Sequence, residues 1–92
     1  MNLYTIRDKV AEDCGPVFQA KNNGVAVRNF EQMFEKNAVS ASDFVLLLLG
    51  TFDQDSGRIT AYDDLEVVVD GTVIQERLWD EQDRSLRNGK KE

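Results

Sequence analysis

The sequence predicts an α+β domain of ββαββ type: a small antiparallel or mixed sheet, one amphipathic helix packed on one face, and a charged C-terminal appendage. Three patterns predict it. "NLYTIR", residues 2–7, alternates along the chain. Ala26, Phe30, Met33 and Phe34 recur at helical spacing. "FVLLLL", residues 44–49, is followed by an Asp- and Gly-containing turn and a second β-like stretch, "LEVVVD". Periods of two and of 3.6 residues are the signatures of a half-buried strand and of an amphipathic helix.

The elements follow in order. Leu3 and Thr5 alternate with Tyr4 and Ile6, giving a first strand with one apolar side. "DKVAEDCGP" is polar, ends in Gly-Pro and reads as a connection. "VFQA", Val17 to Ala20, is a short second strand expected to pair antiparallel with the first, and Pro16 suits a strand start, where no ladder N–H is needed. Asn22 or Asn23 can accept from the free N–H groups of a helix start, and Asn37 is a left-handed stop. Between them the Phe30–Met33–Phe34 stripe faces the core, while Arg28, Glu31, Gln32, Glu35 and Lys36 face water. "DFVLLLLGTF" suits a strand buried on both faces or at a sheet centre. "GRITAY", residues 57–62, is expected as a fourth strand and Leu65 to Val69 as a fifth, separated by an acidic surface loop at Asp63-Asp64. Ile74, Leu78 and Trp79 then place a short helix against the body, ended at Gly89, with a disordered tail over residues 89–92 and one domain over residues 1–88.

At 92 residues the chain buries about 60–65% of its unfolded surface. A dimer covering a sheet edge or an apolar face would relieve so small a core. Cys14 is the single cysteine, so no internal disulfide forms, and the opening residues lack an apolar signal-peptide core. The longest apolar run is far below the ~20 residues a membrane helix needs. A soluble protein of a reducing cytoplasm is the expectation.

The net charge is −6, from 11 basic and 17 acidic residues. Its placement is informative: the whole excess lies in residues 38–70, where Arg58 stands alone among Asp43, Asp53, Asp55, Asp63, Asp64, Glu66 and Asp70. A duplex-DNA reader usually carries a basic face. Any nucleic-acid contact must therefore be local.

"TFDQDSGRIT", residues 51–60, raises the question of a metal. A calcium loop needs oxygen ligands at positions 1, 3 and 5 and glycine at 6. Counting from Asp53 puts Arg58 at the glycine position; counting from Phe52 puts phenylalanine at the first ligand. Neither register works, so the stretch is expected to turn the chain, with Asp53 and Asp55 bonding local N–H groups and Gly57 supplying a positive φ. No metal or cofactor is expected. The chain has no histidine, which removes Ser-His-Asp, Cys-His and zinc-histidine chemistry, and it has no glycine-rich phosphate loop. An enzyme is not expected.

Three blocks taken together, "LYTIRD", "GPVFQAKNNGVAVRNFEQMF" and "DFVLLLLGTFDQDSGRI", resemble in order and spacing the small nonstructural protein of gokushoviruses, the Microviridae subfamily of single-stranded-DNA phages. The motifs are Phe18 to Asn22, Arg28 to Phe30, and Gly50 to Ile59, within a match over about residues 2–60. The resemblance implies a non-virion protein of the infected bacterial cytoplasm, acting in genome replication or packaging, with a suggested DNA-binding role and no catalytic residues to carry over.

Two expectations follow. In the first, single-stranded DNA is held weakly by Arg7, Lys9, Lys21 and Arg28, with Tyr4 and Phe18 as candidate stacking faces, Phe18 being expected rather in the core, and Arg84, Arg87, Lys90 and Lys91 as a tail clamp. In the second, the protein contacts no DNA and binds a phage or host replication or assembly protein through its acidic 53–70 segment, with Asp63, Asp64 and Trp79 at the contact.

Overall fold

A computed structural model describes residues 1–36 and 40–76. Their order is β1 (Asn2–Asp8), β2 (Asp13–Cys14), β3 (Phe18–Ala20), α1 (Asn23–Lys36), a 3₁₀ turn (Ala41–Asp43), β4 (Phe44–Phe52) and β5 (Ile59–Asp70), after which residues 71–76 are helical. The strands form one five-stranded open antiparallel sheet in the order β2-β1-β4-β5, with β3 also on β1. The α+β class and the single main helix are as the sequence predicts. The Asn37 stop, Leu78, Trp79, the Gly89 end and the 89–92 tail lie outside the described residues.

β1 and β4 make the centre. Tyr4 and Ile6 of β1, and Phe44, Leu46 and Leu48 of β4, share a core with Ala26, Phe30 and Phe34 of α1 and with Ile74. Phe30 and Phe34 meet edge-on, with centroids 4.8 Å apart, and Phe34 reaches Phe44 at 5.4 Å. Edge-on and tilted contacts of this kind add to the free energy of burying each ring. The leucine run is buried on both faces, since Val45, Leu46, Leu47 and Leu48 are all buried in succession. β1 behaves likewise: Leu3, Tyr4 and Thr5 are all buried, and the Thr5 hydroxyl is satisfied by donating to the Gly15 carbonyl at 2.9 Å. The sequence expectation of one apolar side on β1 is thus too narrow, because β1 lies inside the sheet rather than at its rim.

α1 is capped by Asn22, whose side-chain oxygen accepts from the Val25 N–H at 3.0 Å. Asn23 has another task, accepting from the Tyr4 hydroxyl at 2.7 Å.

Three expectations need correction. The short second strand starts at Phe18 rather than Val17. The polar connection before it contains β2, which pairs Arg7 with Cys14 and Asp8 with Asp13. The tight turn between them places Glu12 at φ 59 and is closed by Asp8, whose backbone oxygen accepts from Glu12 and whose side chain accepts from Val10 and Ala11. Last, the fourth and fifth strands are one strand, β5, running through Asp63-Asp64. An outermost strand exposed along this stretch lets carboxylates reach water from within the ladder, so the low β-propensity of aspartate is overridden.

β5 does not follow β4 evenly. Leu48 pairs with Glu66, but Gly50 pairs with Ala61, so Tyr62, Asp63, Asp64 and Leu65 all stand opposite Leu49. Excess length of this kind is a bulge, which releases backbone groups from the ladder. Beside it the two chains approach closely: a Cβ on Gly50 would collide with the Thr60 carbonyl.

The two edges of the sheet differ. One is made of β2 and β3, of two and three residues, with Pro16 between them. The other is β5, of twelve residues.

Candidate functional site

The bend after β4 is closed by local hydrogen bonds. Asp53 Oδ1 accepts from the Asp55 N–H at 3.0 Å, and Oδ2 accepts from the Ser56 hydroxyl at 2.9 Å. The Asp53 N–H donates to the Arg58 carbonyl, and the Gly57 N–H to the Asp53 carbonyl, both at 2.8 Å. Gly57 sits at φ 78, where a side chain is disfavoured. The Ser56 hydroxyl first, and the Asp55 amide next, hold the Asp53 carboxyl below the ordinary aspartate value. Both carboxylate oxygens are committed to turning the chain.

The basic residues do not converge. Arg7 is half-buried on β1, with Nη1 3.8 Å from Cys14 Sγ. Lys9, just past β1, reaches Asp70 at the end of β5, with Nζ at 3.0 and 3.3 Å from its two oxygens. Asp70 also accepts from the Thr72 N–H at 2.9 Å. That amide, ahead of Lys9, keeps the Asp70 carboxyl below its ordinary value against a smaller opposing effect of burial. Lys21 follows Ala20, which pairs with Asn2 at the other end of β1 from Lys9. The strand between them is roughly 20 Å long. Lys21 and Arg28 are exposed, the latter on α1. Arg84, Arg87, Lys90, Lys91 and Trp79 lie outside the described residues.

The proposed stacking rings are also spoken for. Tyr4 is fully buried, with its ring on Phe18 at 5.7 Å, and its hydroxyl accepts from Asn2 Nδ2 at 3.0 Å while donating to Asn23. Phe18 is half-buried against the core. A base cannot stack on Tyr4. Alternation alone could not reveal this, because it does not say that a strand will be covered on both sides. A groove of about 420 Å³ lies beside Phe18, lined mainly by Ile6, Pro16, Phe18, Met33 and Phe44. The sequence gives no sign of it, since its walls come from four separate segments.

What the structure does bring together is β5. Asp63 and Asp64 are exposed, as expected, but within a strand. Around them Ile59 is 65% exposed, Tyr62 41%, Leu65 56% and Val67 58%. Half of the exposed large apolar residues named among the described residues lie on this one strand. Scattered exposed apolar residues are ordinary; several on one outermost strand mark a surface that another chain can cover. Lys9 and Asp70 form an ion pair at the end of this strand, while Arg58 and Glu66 have no charged partner among the described residues. None of the described helices is long and apolar enough to cross a membrane.

No curated protein and no solved structure matches the chain. A family profile described as "Phage ORF5 protein" matches residues 1–74, which spans β1 through β5 and most of the buried core. With that match over most of its length, the chain belongs to the Phage ORF5 protein family and is a bacteriophage protein.

Proposed function

We propose that this phage protein is a non-enzymatic accessory factor of a gokushovirus-like single-stranded-DNA phage, working in the host bacterial cytoplasm during genome replication or packaging. It acts by binding protein through β5. The observation that carries this is the exposed strand itself, where Ile59, Tyr62, Leu65 and Val67 interleave with Asp63, Asp64 and Glu66. Strand addition to such an edge derives affinity from main-chain hydrogen bonds and selectivity from the side chains between them. The apolar set supplies the burial, and the carboxylates restrict what can approach. Capture from infected cells tests it. The wild-type protein should retain a phage replication or assembly protein, and Leu65→Ser/Val67→Ser should lose it while keeping the wild-type melting temperature. Equal capture by both proteins overturns the role of β5.

A second reading, weak single-stranded-DNA binding, is favoured by Lys21 and Arg28, both exposed at or near the start of α1. Anisotropy with labelled single-stranded DNA at about 50 and 200 mM salt checks it, since phosphate contacts weaken steeply with salt. On this reading Arg28→Glu weakens binding further. On the first reading the anisotropy stays flat at both salts.

A further inference from the structure

We infer that the groove beside Phe18 is a second docking site, taking a segment of a partner protein in which an aromatic side chain stands next to an arginine. The groove lies on the β2 side of β1, whereas β5 lies beyond β4 on the other side. The inference therefore goes beyond the β5 reading and does not depend on it.

The apolar half of the site comes from a core that is incompletely covered. Ile6, Phe18, Met33 and Phe44 all pack against the buried cluster, yet each is only half-buried. All four open into the same groove of about 420 Å³. Phe30 and Phe34 of α1 are buried with Tyr4 and Leu46, but β2, Asp13–Cys14, extends the sheet here without a large apolar side chain. The groove falls within the roughly 300–1,000 Å³ of ordinary ligand pockets, which are likewise lined mostly by apolar groups with a few polar ones.

The charged half lies toward the end of β1. Asp8 and Asp13 both line the groove and are directly opposed across the β1–β2 pair. Like charges so placed destabilise a strand pair. Neither carboxylate has a charged partner among the described residues. The neighbouring cations are engaged elsewhere: Arg7 lies against Cys14, and Lys9 is held by Asp70. Asp8 commits Oδ1 to the Val10 and Ala11 amides, which fixes its carboxylate in place. Opposed residues stand about 5 Å apart at Cβ, a span that the fork of a guanidinium can bridge.

An apolar slot beside two carboxylates without a cation fits an apolar group and a cation carried together. Aromatic side chains and arginine dominate the binding energy of protein interfaces, so a protein segment supplies that pair most readily. Nucleic acid is a poor match, because its phosphates would meet Asp8 and Asp13. A second copy is a poor match too. It offers Arg58 beside the exposed Ile59, but Asp53 and Asp55 share that turn and would come with it.

Titration of the isotope-labelled full chain with N-acetyl-Arg-Trp-Arg amide, followed by amide chemical shifts, tests this; arginine on both sides leaves the direction of the segment open. The shifts should saturate and cluster on Ile6, Asp8, Gly15, Phe18, Met33 and Phe44. N-acetyl-Gln-Trp-Gln amide and N-acetyl-Arg-Gly-Arg amide should each bind at least about fivefold more weakly, since each lacks one half of the match. Asp13→Lys, a change at an exposed position, should weaken the Arg-Trp-Arg peptide by at least about tenfold and leave the Gln-Trp-Gln peptide unchanged. Met33→Trp, which fills the groove from α1, should remove the response, with the rest of the spectrum reporting an intact fold. The Leu65→Ser/Val67→Ser variant should bind the peptide as the wild type does, so the two surfaces succeed or fail separately. The inference is overturned by the absence of saturable shifts, by equal binding of the Arg and Gln peptides, or by indifference to Asp13→Lys. It is also overturned if another occupant holds the groove. Without peptide, groove amides that move with protein concentration identify a second copy, and groove amides that move on Trp79→Ala identify the chain's own C-terminal residues. Saturable shifts of the same amides by a single-stranded oligonucleotide identify nucleic acid.

Discussion

Tyr4 shows how far a single side chain can be read from its neighbours in sequence. It sits in an alternating strand that also carries Arg7, the company a base-stacking aromatic keeps, yet its ring is fully buried on Phe18 and its hydroxyl joins Asn2 to Asn23. That hydroxyl ties β1 to the first residue of α1. Tyr4→Phe keeps the ring packing and removes both bonds, leaving the Asn2 and Asn23 amides to find water. The expected loss is about 1–2 kcal/mol, typical of partly buried hydrogen bonds, read as a lower urea midpoint with unchanged slope. Arg7 and Lys9 teach the same lesson. Their identity suggests phosphate binding, but the fold decides their use: Arg7 lies against Cys14 on the neighbouring strand, and Asp70, distant in sequence from Lys9, takes its charge.

At the scale of elements, most of the fold was legible. The stripe of Ala26, Phe30 and Phe34 gave α1 its buried face, the leucine run gave β4 its place at the centre, and Asp53 with Gly57 gave the turn. β2 was not legible, because two residues hold no period. β5 was misdivided, because Asp63-Asp64 resembles a loop wherever burial is assumed and is tolerated where a strand faces water. The bulge opposite Leu49 was beyond reach, since register depends on both strands at once. Gly50 marks where those strands come together. Gly50→Ala puts a methyl into the Thr60 carbonyl, a backbone atom that cannot swing aside as a side chain would. The two strands must separate locally, at about 1–3 kcal/mol or more, as overpacking usually requires. Thermal melting checks it, with Gly15→Ala as the control, because a Cβ there meets only the Ile6 carbonyl at 3.5 Å, an ordinary van der Waals contact.

Across the whole molecule, Lys9 and Asp70 link the two ends of the described chain, joining the exit of β1 to the exit of β5 just before the helical residues 71–76 that carry Ile74 into the core. The Asp70 carboxyl is held below its ordinary 3.8 by the Thr72 amide and Lys9. A group whose folded value is depressed contributes stability above its unfolded value, and that contribution disappears as pH falls through the folded one. Asp70→Asn should therefore lower stability at neutral pH by no more than about 1 kcal/mol, the scale of an exposed ion pair. The gap between variant and wild type should narrow as the solution is acidified below 3.8. Denaturant titrations of both proteins at neutral and acidic pH measure it; a gap independent of pH would contradict the assignment. Asp53 acts in the same direction, so acid loosens the turn as well.

The unequal rims of the sheet carry a consequence for how far association can proceed. The β2/β3 rim is fragmentary and interrupted by Pro16, so it offers no continuous template to an incoming strand. Among the described strands only the β5 rim offers an incoming strand a template of any length. Strand addition is therefore one-sided, and a molecule whose β5 rim is covered has no comparable edge among the described residues from which fibres could grow.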